Sequence, residues 1–385
     1  MNRPILILIL TGTCLTAAAN TDSNLVPHTG PHGVGVRIVQ QYDYSRVMDP
    51  QFNVFGKSFS TGPARPIQTL VWYPAKRSER TPMRAADYRH ASMSDVDFNY
   101  PESEANKQLT RWITGPHKAK YAASTLAVRG AEPAGGIYPV LIFAPGLGSP
   151  AHENLDLCEY LTSHGYLVIA SRSLGARSGA MTADVEGVEA QASDIAFLTH
   201  YAHSLPQADM NKVAVIGSSW GGIANVFAAA RSSRIQALVS LDGSIRYFPE
   251  IWGAATDVKP VRTNVPMLFS AARAPGAEEM ERNGTLVPSY LNKMKYSDVY
   301  VTQMAPMTHL DFSSWHLRFA GDDAFGDYQR AEVLHAYRSN LLYVHRFLDA
   351  YLKQDADALA FLRQPPSRHG IVPQVMSMRF YPAFR

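Results

Sequence analysis

Ten residues constrain this chain more than any others: Val213-Ala214-Val215-Ile216-Gly217-Ser218-Ser219-Trp220-Gly221-Gly222. The first four are apolar and three of them are β-branched, which predicts a buried strand. The residues up to Arg231 then predict a helix rich in alanine. Between the two, Gly217-Ser218-Ser219-Trp220-Gly221 fits G-x-S-x-G. On its own that pattern also fits an ordinary glycine turn. Flanked by a strand and a helix, it predicts a nucleophile elbow, with Ser219 on a sharp bend and its hydroxyl exposed. The flanking glycines let strand and helix pass where a Cβ would clash. The helix N-terminus behind the serine favours developing negative charge.

Further strand-like runs lie at 34–41, 67–73, 140–144, 166–170, 237–241, 267–270 and 299–302, making eight with the strand before the elbow. The middle ones are continuous apolar runs, as in parallel strands buried on both faces. Helical patterns fall at 153–164, 186–205, 222–231 and 331–352. The alternation predicts an α/β fold with a mostly parallel eight-stranded sheet and helices on both faces. Two long segments, 74–138 and 243–265, interrupt the scaffold and read as cap or binding-loop insertions, or as flaps packed on the sheet. The second, with Tyr247, Phe248 and Trp252, is favoured for substrate contact because it follows a candidate catalytic residue.

The N-terminus reads differently. Asn2-Arg3, an apolar stretch over 4–10, small residues over 11–16 and Ala17-Ala18-Ala19 predict a cleaved leader over 1–19, too short for a membrane span. Thr13 before Cys14 argues against a lipid anchor. The expectation is an exported protein, secreted or periplasmic, with one catalytic domain over 20–385. Loss of Cys14 leaves only Cys158, so no internal disulfide is expected, and Cys158 reads as a small buried hydrophobe. Apolar residues make up 46% of the chain, enough for a large core, and the formal net charge of +3 gives no electrostatic case for nucleic-acid binding.

A serine hydroxyl becomes a nucleophile when a base takes its proton and a third group orients that base. In an elbow-bearing sheet the order along the chain is Ser, then Asp or Glu, then His. His309 follows the run at 299–302 at a loop position, ahead of His316; His335 and His345 fall within the last helical pattern. For the acid, Asp242 stands at the end of 237–241 and is followed by Gly243; Glu278, after 267–270, is the rival. An Asx-turn would also account for Asp242, and Asp311 lies awkwardly close to His309 to orient it. An oxyanion hole needs two aimed N–H groups. Trp220, after the nucleophile, supplies one. Leu147 in the loop Pro145-Gly146-Leu147-Gly148-Ser149 is chosen for the other. No zinc spacing, P-loop or dinucleotide fingerprint appears, and His28 and His32 read as plain loop residues.

On these residues the chain resembles the α/β-hydrolase superfamily, and within it the platelet-activating-factor acetylhydrolase-like and dienelactone-hydrolase-like serine esterases. The G-x-S-x-G-G elbow, the Leu241-Asp242 acid, the Gly146-Leu147-Gly148 loop, the strand end Val71-Trp72-Tyr73-Pro74 and His309 followed by Phe312 carry the resemblance. Ser218 departs from it, standing where that family often has His. The resemblance implies an ester hydrolase acting on short acyl groups of lipid-like or aryl alcohols, through Ser219, His309 and Asp242, with no cofactor. The expected partner is a small-molecule ester. A peptidase or amidase on the same fold, and an inactive binding module, are the alternatives. Trp220, Tyr247, Phe248 and Trp252 are expected to crowd the acyl group or line its wall; core packing is the other reading of these rings.

Overall fold

The computed structural model describes residues 25–48, 63–273 and 290–384. The expected leader and Glu278 lie outside the described residues. Among those described, ten strands form one sheet: β1 (Gly33–Val47), β2 (Ala64–Ala75), β3 (Ala127–Arg129), β4 (Tyr138–Ala144), β5 (Leu167–Ser171), β6 (Ala208–Ser218), β7 (Ile235–Leu241), β8 (Met267–Ala271), β9 (Val299–Met304) and β10 (Met376–Tyr381). Their order is β10-β9-β8-β7-β6-β4-β5-β2-β1-β3. From β5 across to β9 every neighbouring pair is parallel, whereas β1–β2, β2–β5 and β9–β10 are antiparallel. All eight expected strands are present. The two additions lie at the sheet edges, where a strand needs only one partner: three-residue β3 beside β1, and β10 beside β9.

Among the described residues ten helices accompany the strands: α1 (Ala85–Ala91), α2 (Glu102–Thr114), α3 (Lys118–Ala122), α4 (Leu155–Ser163), α5 (Val185–Ala202), α6 (Gly221–Arg231), α7 (Pro249–Ala254), α8 (Ser314–Phe319), α9 (Arg330–Leu352) and α10 (Ala356–Leu362). The sheet is buried on both sides because successive strand residues point to opposite faces. Leu141 and Phe143 of β4 join one core with α4 and α9, while Val140 and Ile142 join the other with α5 and α6. Cys158 is buried within the first of these cores.

Segment 74–138 is built rather than loose. It carries α1, α2, α3 and β3, and it docks on the face covered by α4. The Tyr88 hydroxyl donates to Glu159 Oε1 at 2.6 Å and accepts from Trp72 Nε1 at 2.8 Å. Leu126 N donates to Glu159 Oε2 at 2.6 Å. Burial raises the Glu159 carboxyl to about 7, against hydrogen bonds that pull it down. Further along, Lys120 Nζ donates to the carbonyls of Phe319 and Ala320 at the end of α8, and the Tyr121 ring lies 4.6 Å from that of Phe319.

Candidate active site

The elbow forms where β6 passes into α6. Ser219 takes φ 49°, a left-handed conformation that an L-residue adopts only under constraint. The constraint is visible on both sides. Ser219 N donates to Leu241 O at 3.0 Å, and Ser219 O accepts from Ser244 N at 2.8 Å. A Cβ on Gly217 would lie 2.1 Å from Gly221 O, and one on Gly221 would lie 2.0 Å from Ala144 O. Both positions therefore exclude any side chain, and the turn packs directly against the end of β4.

His309 arrives on the turn after β9, the position at which the sequence places the base. Its Nε2 is 2.9 Å from Ser219 Oγ, and its Nδ1 is 2.6 Å from Asp242 Oδ2. Asp311 holds that turn. Its fully buried carboxylate accepts from both Thr308 N and Thr308 Oγ1 at 2.7 Å through one oxygen, Oδ2. Asp311 thus shapes the loop and leaves orientation of the ring to Asp242. His316, the weaker candidate base, stands 3.7 Å from Asp311 Oδ1. His335 and His345 lie on α9.

Asp242 ends β7 with φ 42° and is 2% exposed. Its Oδ1 accepts from Ala272 N at 3.0 Å and from the Tyr247 hydroxyl at 3.1 Å, which leaves Oδ2 for His309. The hydrogen bond to Asp242 raises the His309 pKa above its ordinary value against the opposing effect of burial. The carboxylates of Asp242 and Glu153 add a smaller push in the same direction.

The loop after β4 lies against Ser219, since a Cβ on Gly146 would come within 3.3 Å of Ser219 Cβ. Ser149 N closes a turn onto Gly146 O at 3.0 Å, with Gly148 at φ 66° in its third position, where glycine carries no steric cost. Gln191 Nε2 on α5 anchors the loop through Pro145 O at 2.7 Å. Within it, Gly146 N is already used by Glu153 Oε2 at 2.8 Å. Leu147 N and Trp220 N, the two expected oxyanion donors, make no hydrogen bond to a described residue.

The aromatic residues divide. Tyr247 supports Asp242. The Trp220 side chain is 2% exposed and faces the α5–α6 core, edge-on to Phe248 at 5.7 Å. Trp252 packs in the same core, edge-on to Tyr290 at 5.3 Å. For both tryptophans core packing is the reading that fits. Leu147, next to Gly146 in the loop after β4, and Leu310, next to His309, are exposed, at 46% and 58%. Glu153 is the residue that the sequence reading passed over, and no local pattern marks it.

A chlorophyllase family model matches residues 87–244, less than half of the chain. The solved structure of a ferulic acid esterase from Streptomyces cinnamoneus superposes with a TM-score of 0.65. It is 21% identical, over 92% of this chain and 98% of that one, a likeness that speaks for the fold. No curated protein matches. The strand order, the elbow at the end of β6 and the loops that converge on it, with this likeness, give the chain the α/β-hydrolase fold.

Proposed function

We propose that this chain is a serine hydrolase of carboxylic esters, with Ser219 as nucleophile, His309 as general base and acid, and Asp242 as the group that orients the imidazole. The observation that carries the reading is the relay from Ser219 Oγ to His309 Nε2 at 2.9 Å and from His309 Nδ1 to Asp242 Oδ2 at 2.6 Å. The likenesses to a chlorophyllase model and a ferulic acid esterase support ester cleavage.

In this reaction Ser219 Oγ attacks the carbonyl carbon while its proton passes to His309 Nε2. Negative charge gathers on the former carbonyl oxygen, facing the N–H groups of Leu147 and Trp220. Collapse expels the alcohol, which takes the proton from His309. Water, deprotonated by the same nitrogen, then releases the acid from Ser219. No cofactor enters any step. The substrates proposed are esters of short acyl groups with lipid-like or aryl alcohols, with the exposed Leu147, next to Gly146, and Leu310, next to His309, offering apolar contact. Export through the leader over 1–19 belongs to the same proposal, with a mature N-terminus near Asn20 or Thr21.

The test is labelling with a fluorophosphonate, combined with turnover of p-nitrophenyl esters from acetate to palmitate. Ser219→Ala should lose labelling and nearly all turnover, while Ser218→Ala keeps most of both. Substantial hydrolysis by the Ser219 variant removes the mechanism, and a maximum at long chains removes the short-acyl preference. Turnover of anilides as fast as esters would favour an amidase. Among the described residues no helix is long and apolar enough to cross a membrane.

A further inference from the structure

We propose that Glu153 is a positioning residue of this site: its carboxylate ties the loop after β4 to the nucleophile turn and supplies His309 with a second negative charge. The proposal rests on the hydrolytic reading above.

Glu153 stands in the turn just before α4, at the meeting point of three chain segments. Towards the loop after β4, Oε2 accepts the Gly146 N–H at 2.8 Å. The position a Gly146 Cβ would take is 3.0 Å from Glu153 Oε1, 3.4 Å from Ser149 Oγ and 3.3 Å from Ser219 Cβ. Carboxylate, hydroxyl and nucleophile thus crowd around a residue that offers only hydrogen. Burial raises the Glu153 pKa, and the Gly146 N–H, the hydroxyls of Ser149 and Ser218 on the elbow side, and His309 pull it back towards the charged form. Towards the histidine, Glu153 O accepts from Ser313 Oγ at 3.1 Å and from Trp315 N at 3.0 Å, both in the chain that follows His309. A single residue therefore fixes the spacing of the loop after β4, the nucleophile and the base.

Two consequences follow from the chemistry. By occupying the Gly146 N–H, the carboxylate leaves the next N–H of the loop, that of Leu147, free to meet a substrate oxygen. It also places a charge where His309 becomes a cation during turnover. The charged groups around it are few. Asp156, three residues on, is held by Arg318 through contacts of 2.8 and 2.5 Å. Cys158 lies further along α4 as a thiol whose pKa burial raises well above its usual value. Asp311 on the His309 loop faces His316 on α8 at 3.7 Å. That leaves Glu153 and Asp242 to act on the imidazole, and both favour its protonated form.

The experiment measures kcat and KM for p-nitrophenyl acetate against pH in the full chain, in Glu153→Gln and in Glu153→Asp, with fluorophosphonate labelling of each. Glu153→Gln keeps the shape and loses the charge. Its kcat should fall about tenfold, since part of the oxyanion positioning goes, while KM stays within about twofold. Its acid limb should move down by about half a pH unit, because His309 then holds its proton less tightly. Glu153→Asp keeps the charge but draws back from Gly146, so its kcat should fall while the acid limb stays with the wild type. A Glu153→Gln variant with unchanged kcat and unchanged acid limb overturns the proposal. If that variant fails to fold, Glu153→Asp decides, and a wild-type kcat in it overturns the proposal equally. A wild-type chain that takes no label overturns the hydrolytic reading itself, and this proposal with it.

Discussion

Replacing Asp242 by Asn changes one atom, and the structure dictates where that atom goes. Oδ1 receives two donors, the Ala272 N–H at 3.0 Å and the Tyr247 hydroxyl at 3.1 Å. The first is main chain and cannot turn away. The Asn oxygen must stay opposite it, so the new amide nitrogen faces His309 Nδ1. Two donors cannot share that 2.6 Å contact. His309 then keeps its proton on Nε2, pointing at Ser219 Oγ, and can no longer take one from it. The backbone does not object, because Asn tolerates the φ of 42° as well as Asp does. The chain should therefore fold and lose rate by about 10⁴-fold, roughly 5.5 kcal/mol of transition-state stabilisation. Active-site titration and kcat for p-nitrophenyl acetate, with circular dichroism to verify folding, measure it. Tyr247→Phe serves as the control: it leaves the Ala272 N–H in place, and its loss should stay within about tenfold. A fall of less than about tenfold in Asp242→Asn would refute the tautomer argument and move the orienting acid elsewhere.

The remaining expectations concern protonation and packing. Protonated His309 cannot accept a proton from Ser219, and its folded pKa is raised, so kcat/KM should fall with pH along a limb centred above the ordinary histidine value. A pH–rate profile checks this, and a midpoint below that value would contradict it. Trp220→Ala and Trp252→Ala should each destabilise the fold by roughly 3–5 kcal/mol, as large core truncations do, without moving the acyl-chain optimum. Thermal melting and the p-nitrophenyl ester series separate the two effects.

Much of this was readable from the chain, for reasons that can be named. The elbow was legible because its glycines are required by contacts of about two ångströms, so no other residue type could stand there. Asp242 and His309 were legible because each follows an apolar strand at a turn, and the strands bring both to one edge. The helix expected over 153–164 is observed as Leu155–Ser163, which leaves Glu153 outside it in the preceding turn. The role of Glu153 was hidden because its partners lie in other parts of the chain and no spacing links them. β3 was too short to signal itself, at three residues. β10 alternates Met376, Met378 and Phe380 with Ser377, Arg379 and Tyr381, but it follows the last long helix, beyond the β/α alternation used to find the others. The face that Trp220 buries depends on how α6 leaves the elbow, which composition does not encode.

Three described non-glycine residues have positive φ, and two of them are Ser219 and Asp242. They end neighbouring parallel strands, β6 and β7, and are joined through the bond from Ser219 N to Leu241 O. Conformations of this kind cost on the order of 1–3 kcal/mol each. The chain thus stores tension at two adjacent points, and the core on both sides of the sheet resists its release. A lineage kept for solubility or folding alone would gain by relaxing both positions, and would lose its chemistry as it became sturdier. Two strained backbone positions side by side are where this fold gives up stability to hold Ser219 and Asp242 in place.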